Sequence, residues 1–280
     1  MKKMNILLAV LISSLMIFSF LSTCRPTPTS RLKVVTTTSL LAYVVQQVGG
    51  NKVDVVSIVP SAQHPGDFDA KPQDIQKLAD ARLFLWHNWP GEKFVPRLIA
   101  SAGNANLTVL PVEVPGNWML PSVQSAATDK VAAALSQVDS QNSALYQQAA
   151  VAYKARITAK EAEIKTSLAQ ANLPAVKVIS VDFQAPFVTW SGLGLIATYG
   201  TPESLTPQVV KGLVDKGKAA GVTLVVDNLQ SGRDAGEGLA TELGARRIIL
   251  SNFPGGFADT GTWEKAIDHN IRLLLGAIAR

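Results

Sequence analysis

A stretch without glycine or proline, residues 137–171, constrains the fold more than any other part of the chain. Apolar side chains return to one face along it: Leu145, Ala149, Tyr153, Ile157, Ile164 and Leu168. We predict one helix over 137–172, capped by Asp139 or Ser140 and ended before Pro174. At about 1.5 Å per residue it would be about 50 Å long and could join two lobes rigidly. Two ordinary helices with a break remain the alternative.

Short apolar runs alternate with helical segments on both sides of this stretch. Strands are predicted at 33–37, 53–58, 82–86, 107–110, 176–181, 222–227 and 247–250. Helices are predicted at 39–48, 72–80, 92–101, 207–218, 233–243 and 263–279. Such alternation is typical of parallel sheets covered by helices. The sequence therefore predicts an α/β fold with two lobes, 32–136 and 173–280, whose mostly parallel sheets are joined by a long backbone helix.

The amino end resembles a bacterial lipoprotein signal. Lys2 and Lys3 precede an apolar run over 6–21, and the sequence LSTC ends at Cys24. We predict a signal peptide over 1–23 and a lipid-bearing, flexible tether over 24–31. The lipid on Cys24 would hold the mature chain on the extracytoplasmic face of the cell membrane, in a periplasm or at the cell surface. An uncleaved anchor is the alternative, and it also places the folded part outside the cytoplasm.

Charge and cysteine content exclude two classes of protein. The formal net charge of +5 falls to +3 once Lys2 and Lys3 are removed, which is too weak to indicate nucleic-acid binding. Cys24 is the only cysteine, so a disulfide within the chain is impossible. A sequence that is 47% apolar can still bury a large core.

Four stretches carry a family pattern: residues 32–40 (LKVVTTTSL), 67–75 (DFDAKPQDI), 117–121 (NWMLP) and 262–270 (TWEKAIDHN). Together they resemble the metal-binding solute-binding lipoproteins of ABC importers, the family of zinc and manganese uptake proteins. The resemblance implies two lobes joined by a long helix and zinc or manganese as the transported ligand. It also implies an ABC permease and an ATPase as partners, with the chain itself a monomer.

The four ligand positions of that family are substituted in this chain. The residues there are Gly66, Gly116, Gln184 and Asn252. Zinc and manganese require imidazole or carboxylate ligands, and glycine has no side chain to offer. Two glycines in one cleft also leave empty volume, which favours either a larger solute or a metal held by other residues.

Other residues can supply a mixed set of metal ligands. We predict His64, His87 and Asp227 as candidate ligands, because imidazole and carboxylate together suit zinc, manganese or iron. Aromatic and polar residues near the same loops favour instead a metal chelate or a small organic molecule. The residues predicted to contact the solute are Asp67, Trp89, Asn117, Trp118, Asp182, Gln184, Trp190 and Asn252. Packing in the core is the alternative role for the tryptophans.

The motif content argues against an enzyme. The sequence has no nucleophile elbow, phosphate loop or HExxH motif, and Gly192 and Gly194 lack the third glycine of a dinucleotide fingerprint. We therefore predict an extracytoplasmic solute-binding lipoprotein of an ABC importer, which captures a zinc-like or manganese-like ion between its lobes. The same receptor adapted to a metal chelate or organic ligand is the first alternative. An adhesin or scaffold lipoprotein is the second.

Overall fold

The computed structural model describes residues 31–279; the predicted signal peptide and most of the tether, with Cys24, lie outside the described residues. The strands are β1 Leu32–Thr36, β2 Val53–Ser57, β3 Leu83–Trp86, β4 Thr108–Pro111, β5 Lys177–Val181, β6 Gly194–Tyr199, β7 Leu224–Asn228 and β8 Arg246–Leu250. The α-helices are α1 Ser39–Gly49, α2 Pro72–Ala79, α3 Val95–Ala102, α4 Pro121–Val138, α5 Ser143–Leu168, α6 Ala185–Trp190, α7 Pro207–Ala220, α8 Glu237–Leu243 and α9 Trp263–Ile278.

Each lobe is built on a four-stranded sheet in which every pairing is parallel. The orders are β2-β1-β3-β4 in the first lobe and β6-β5-β7-β8 in the second. In each sheet, the second strand of the lobe lies on one side of the first strand and the third strand lies on the other side. The strand order therefore reverses beside the first strand of the lobe. Ligands of such sheets bind outside the carboxyl ends of the strands at this reversal. The topology therefore predicts where each lobe contributes to a site.

Burial of apolar side chains ties the two lobes together. One cluster packs the first sheet against α2 and α3, and a second packs the other sheet against α7 and α8. A third cluster is shared by both lobes and includes residues from α1, α4, α5 and α9. Its largest buried side chains include Trp118, Tyr146, Tyr153 and Trp263. Since the lobes share a core, a wide hinge motion would expose apolar surface, which is unfavourable.

The long helix α5 has 26 residues, so its length is about 39 Å at about 1.5 Å per residue. It is shorter than predicted because α4 continues to Val138 and the backbone turns at Asp139. The carboxylate of Asp139 accepts hydrogen bonds from the side chains of Tyr146 and Asn142, which holds that turn. The buried face of α5 contains Tyr153, Ile157, Ile164 and Leu168 from the predicted stripe.

The predicted fold class, two lobes with parallel sheets joined by a long helix, is confirmed. Strand β6 and helices α4 and α6 were not predicted. Strand β6 begins at Gly194, and most of its side chains are only half-buried at the sheet edge.

Candidate functional site

A cavity of about 550 Å³ lies where the carboxyl ends of the two sheets meet. The first lobe contributes loop residues that follow its strands, among them His64, Trp89, Asn117 and Trp118. The second lobe contributes Asp182, Phe183, Asn228, Gln230, Asn252 and Phe253. This is the position that the strand order predicts for a ligand. A volume of this size suits a small organic molecule, since such pockets measure roughly 300–1,000 Å³.

Hydrogen bonds cross the cleft beside the cavity. The Asn117 side-chain nitrogen donates to the Phe183 carbonyl at 2.8 Å and to Asn252 Oδ1 at 2.9 Å. The Gln230 side-chain nitrogen donates to the Ser61 carbonyl at 2.8 Å, and Ser39 Oγ donates to the Pro254 carbonyl at 2.8 Å. These bonds hold the loops of both lobes against one another around the cavity.

His64 lies at the mouth of the cavity and is half-buried. Its Nδ1 accepts a hydrogen bond from the Gly66 amide at 3.0 Å, which caps the short turn Pro65–Asp67. Its ring also lies 5.7 Å from that of Phe183 in the other lobe. A Cβ at position 66 would come within 2.8 Å of Nδ1, so His64 occupies the space beside Gly66. A larger residue at 66 would therefore force this imidazole to shift.

His87 lies behind the cavity wall and is 1% exposed. Its Nε2 shares a hydrogen bond of 2.7 Å with Thr38 Oγ1. Its ring stacks on Trp89 with 3.6 Å between centroids and meets the edge of Trp118 at 4.4 Å. Burial lowers the pKa of His87 well below its usual range, so the imidazole is neutral. His87 therefore supports Trp89 and is not part of the cavity lining.

Asp227 is fully buried on the opposite face of β7 from the cavity. Oδ1 accepts hydrogen bonds from the Tyr199 hydroxyl and the Gly236 amide, and Oδ2 pairs with Arg247 at 2.9 Å. Both carboxylate oxygens of Asp227 therefore already have partners within the protein. Successive side chains of a strand point to opposite faces, so the next residue, Asn228, faces the cavity in its place.

The predicted ligand set therefore does not come together. Of His64, His87 and Asp227, the structure brings only His64 to the cavity. Within residues 31–279, no three His, Cys, Asp or Glu side chains are placed to hold one ion. At the second substituted position Gly116 has a φ of 104°, a conformation that favours glycine, so a histidine there would be strained.

The residues predicted to contact the solute divide into two groups. Five of them line the cavity: Trp89, Asn117, Trp118, Asp182 and Asn252. Asp67 is exposed outside it, Gln184 is buried, and Trp190 packs beside Phe187 with 5.5 Å between ring centroids. The sequence reasoning missed Phe183, Asn228, Gln230, Ser231 and Phe253, although each follows or ends a strand of the second lobe. Their place at the carboxyl ends of these strands is the sequence signal that could have identified them.

The neutral state of His87 predicts an acid-sensitive stability. In the unfolded chain this imidazole takes up a proton below about pH 6.5, whereas in the folded chain it does so only at lower pH. The unfolded state then binds more protons, so stability is lost as the pH falls between those two values. We expect a loss of up to about 1.4 kcal/mol per pH unit in that window. Urea unfolding at several pH values measures it, and a His87→Gln variant with an equally steep loss would contradict it.

Comparison with known proteins agrees with this architecture. The family described as zinc-uptake complex component A, periplasmic, matches residues 34–277. The chain belongs to this family. Members bind a substrate for import, so the prediction of a binding protein rather than an enzyme is confirmed.

Individual relatives are distant. The chain is 26% identical to the metal ABC transporter substrate-binding lipoprotein SsaB of Streptococcus sanguinis, over 67% of this chain and 69% of that protein. It is 25% identical to the manganese ABC transporter substrate-binding lipoprotein PsaA of Streptococcus mitis, over 77% and 78%. The Ni²⁺ complex of FpvC from P. aeruginosa shares the fold, with a TM-score of 0.75, 21% identity, and coverage of 89% of this chain and 97% of that one.

Proposed function

We propose that the chain captures a metal-containing solute in the cleft between its lobes and delivers it to the permease of an ABC importer. One observation carries this proposal: the cavity at the carboxyl ends of both sheets is lined by both lobes. Cross-cleft hydrogen bonds through Asn117 and Gln230 would couple occupation of the cavity to the relative position of the lobes. A permease can then distinguish the loaded from the empty receptor by shape.

The proposed cargo is a transition metal such as zinc or manganese, in line with the named relatives. In the cavity lining of this chain, His64 and Asp182 are the side chains of the residue types that hold such ions. Zinc sites use three or four protein ligands, so these two leave coordination positions open. A metal bound here would complete its shell with ligands that come from outside the protein.

The test compares cells that lack the chain with cells that carry the full chain, under zinc and manganese limitation. We expect lower cell-associated zinc or manganese without the chain, measured by inductively coupled plasma mass spectrometry. Chemical cross-linking in the intact membrane should also recover a permease with the chain. Equal metal contents, together with no permease in the cross-linked product, would contradict the proposal.

The proposed site of action is the extracytoplasmic face of the membrane, with an ABC permease and its ATPase as partners and the receptor as a monomer. Among residues 31–279, no helix is long and apolar enough to cross a membrane. Attachment is proposed to come from a lipid on Cys24.

Replacing Cys24 with serine should release the chain from the membrane, because the thiol that would carry the lipid is removed. The measurement is the share of chain that sediments with membranes, with Ser22→Ala as the matched control. We expect the control to sediment like the unaltered chain and Cys24→Ser to remain in the supernatant. Unchanged sedimentation of Cys24→Ser, together with no lipid on Cys24 of the unaltered chain by mass spectrometry, would rule out the lipid anchor.

A further inference from the structure

Among residues 31–279, no ionisable side chain lies on the inner walls of the cavity. The lining residues that are buried are Leu40, Pro65, Asn117, Trp118, Asn228, Gln230, Ser231 and Phe253. The two ionisable lining residues, His64 and Asp182, are half-buried and exposed respectively, which places them towards solvent. A bare divalent ion in an uncharged, partly apolar enclosure loses hydration without gaining compensating ligands, and that is strongly unfavourable. The interior thus selects against an unaccompanied ion.

Aromatic rings from both lobes line this space. Trp89 of the first lobe and Phe253 of the second are nearly parallel, with 9° between their planes and 6.5 Å between their centroids. The stack of His87 on Trp89 fixes the orientation of the indole. Large rigid rings that offer their surfaces to a cavity are suited to a flat aromatic solute.

One buried donor in the lining has no partner. Asn228 is 1% exposed, and its Oδ1 accepts hydrogen bonds from the amides of Gln230 and Ser231 and from the Ser231 hydroxyl. These bonds fix which amide atom is the oxygen. Its Nδ2 finds no hydrogen-bond partner among residues 31–279. A buried donor without a partner is costly, so a solute acceptor at this point would contribute to binding.

We propose that the cavity binds a flat, uncharged aromatic heterocycle, which contacts Trp89 and Phe253 and accepts a hydrogen bond from Asn228 Nδ2. This inference deepens the proposed function by naming the form of the cargo: any metal enters as a chelate of that molecule. The heterocycle can arrive free or as the organic part of a complex. Both forms present the same aromatic surface, and in the complex the acceptor is an atom that is not fully engaged by the metal.

Titration with three probes separates these forms. The full chain in detergent is titrated with ZnCl₂ or MnCl₂ alone, with 8-hydroxyquinoline alone, and with the neutral zinc complex of 8-hydroxyquinoline. Calorimetry and tryptophan fluorescence report binding. We expect one saturable site for at least one of the two aromatic probes and none for the ions alone. Saturation by an ion alone, or no binding by either aromatic probe, would overturn the inference.

Single substitutions locate the probe in the cavity. Trp89→Leu should weaken binding of the aromatic probe about tenfold, since aromatic contacts contribute roughly 0.5–1.5 kcal/mol beyond area. Phe253→Leu should weaken it by a smaller factor, whereas Phe257→Leu, in the same loop but outside the cavity lining, should leave it unchanged. Asn228→Asp keeps the oxygen that accepts the three internal bonds and removes the donor, so it should also weaken binding. Equal affinities for Trp89→Leu, Phe253→Leu and the Phe257→Leu control would contradict the site.

The outcomes distinguish this inference from the proposed function. If ZnCl₂ alone saturates one site and cells without the chain contain less zinc, the proposed receptor function is supported and the aromatic cargo is contradicted. If the aromatic probe binds but metal contents and permease cross-linking do not depend on the chain, the proposed cavity ligand is supported and the transport function is contradicted.

Discussion

Arg247→Met should lower the free energy of unfolding by about 3 kcal/mol, because it leaves the buried carboxylate of Asp227 without its cation. The side chain of Asp227 is fully buried, that of Arg247 is 22% exposed, and the two are 2.9 Å apart. The same guanidinium also bonds the carbonyl of Arg233 and the carboxylate of Asp234. Removing one partner of a buried ion pair lowers the free energy of unfolding more than replacing both partners does. Urea or thermal unfolding measures the loss.

Two controls make this result specific. The double variant Arg247→Met with Asp227→Asn should recover part of the lost stability, since the uncompensated charge is gone. Lys211→Met breaks an exposed ion pair of 2.7 Å with Asp215 and should have no measurable effect. A folded Arg247→Met chain should still bind the aromatic probe like the unaltered chain, because Asp227 lies outside the cavity lining. A stability equal to that of the unaltered chain would contradict the structural role of the pair.

Trp118→Ala should cost about 3–5 kcal/mol of stability, the range for removing a large buried aromatic side chain. Trp118 is 2% exposed, and its indole nitrogen donates to the Val114 carbonyl at 3.1 Å. Its ring supports both His87 and Trp89, at centroid distances of 4.4 and 6.2 Å. Its loss therefore opens a void in the cavity lining beside His87 and Trp89 and should also weaken binding of the aromatic probe.

Trp190→Ala is the matched control for this substitution. Trp190 is half-buried and does not line the cavity, so we expect a smaller loss of stability and no change in probe affinity. Unfolding and titration of both variants under one set of conditions give the comparison. Equal losses of stability in the two variants would contradict the supporting role assigned to Trp118.

Much of the fold could be predicted from hydrophobic pattern. The predicted strand 222–227 overlaps β7, whose residues are all buried, since buried parallel strands are near-continuous apolar runs. Helix α4 was missed, although Pro121 stands at its first turn, where proline is tolerated. The end of the long helix was found more closely than its start, because the bonds that Asp139 makes across the turn are not visible in a local pattern.

The site was harder to predict, because small shifts of register decide which side chain faces the cavity. Asp227 was chosen and Asn228 lines the wall, one residue away along β7. His87 follows a strand as predicted, but its ring is covered by Trp89, a contact that depends on the tertiary arrangement. The assignment of Gly66 and Gly116 to ligand positions of the family stays a prediction from the resemblance. Only the three-dimensional structure shows that the His64 imidazole fills the space beside Gly66.

Native mass spectrometry of the full chain, purified from its own membranes without added solute, tests most directly whether cargo is recognised through an organic part. We expect one bound species per chain, heavier than a hydrated ion, whose fragments include an aromatic heterocycle. The same preparation of Trp89→Leu should carry much less of it, and that of Phe257→Leu an equal amount. A stoichiometric bare zinc or manganese ion, or a chain that carries no solute, would contradict the account.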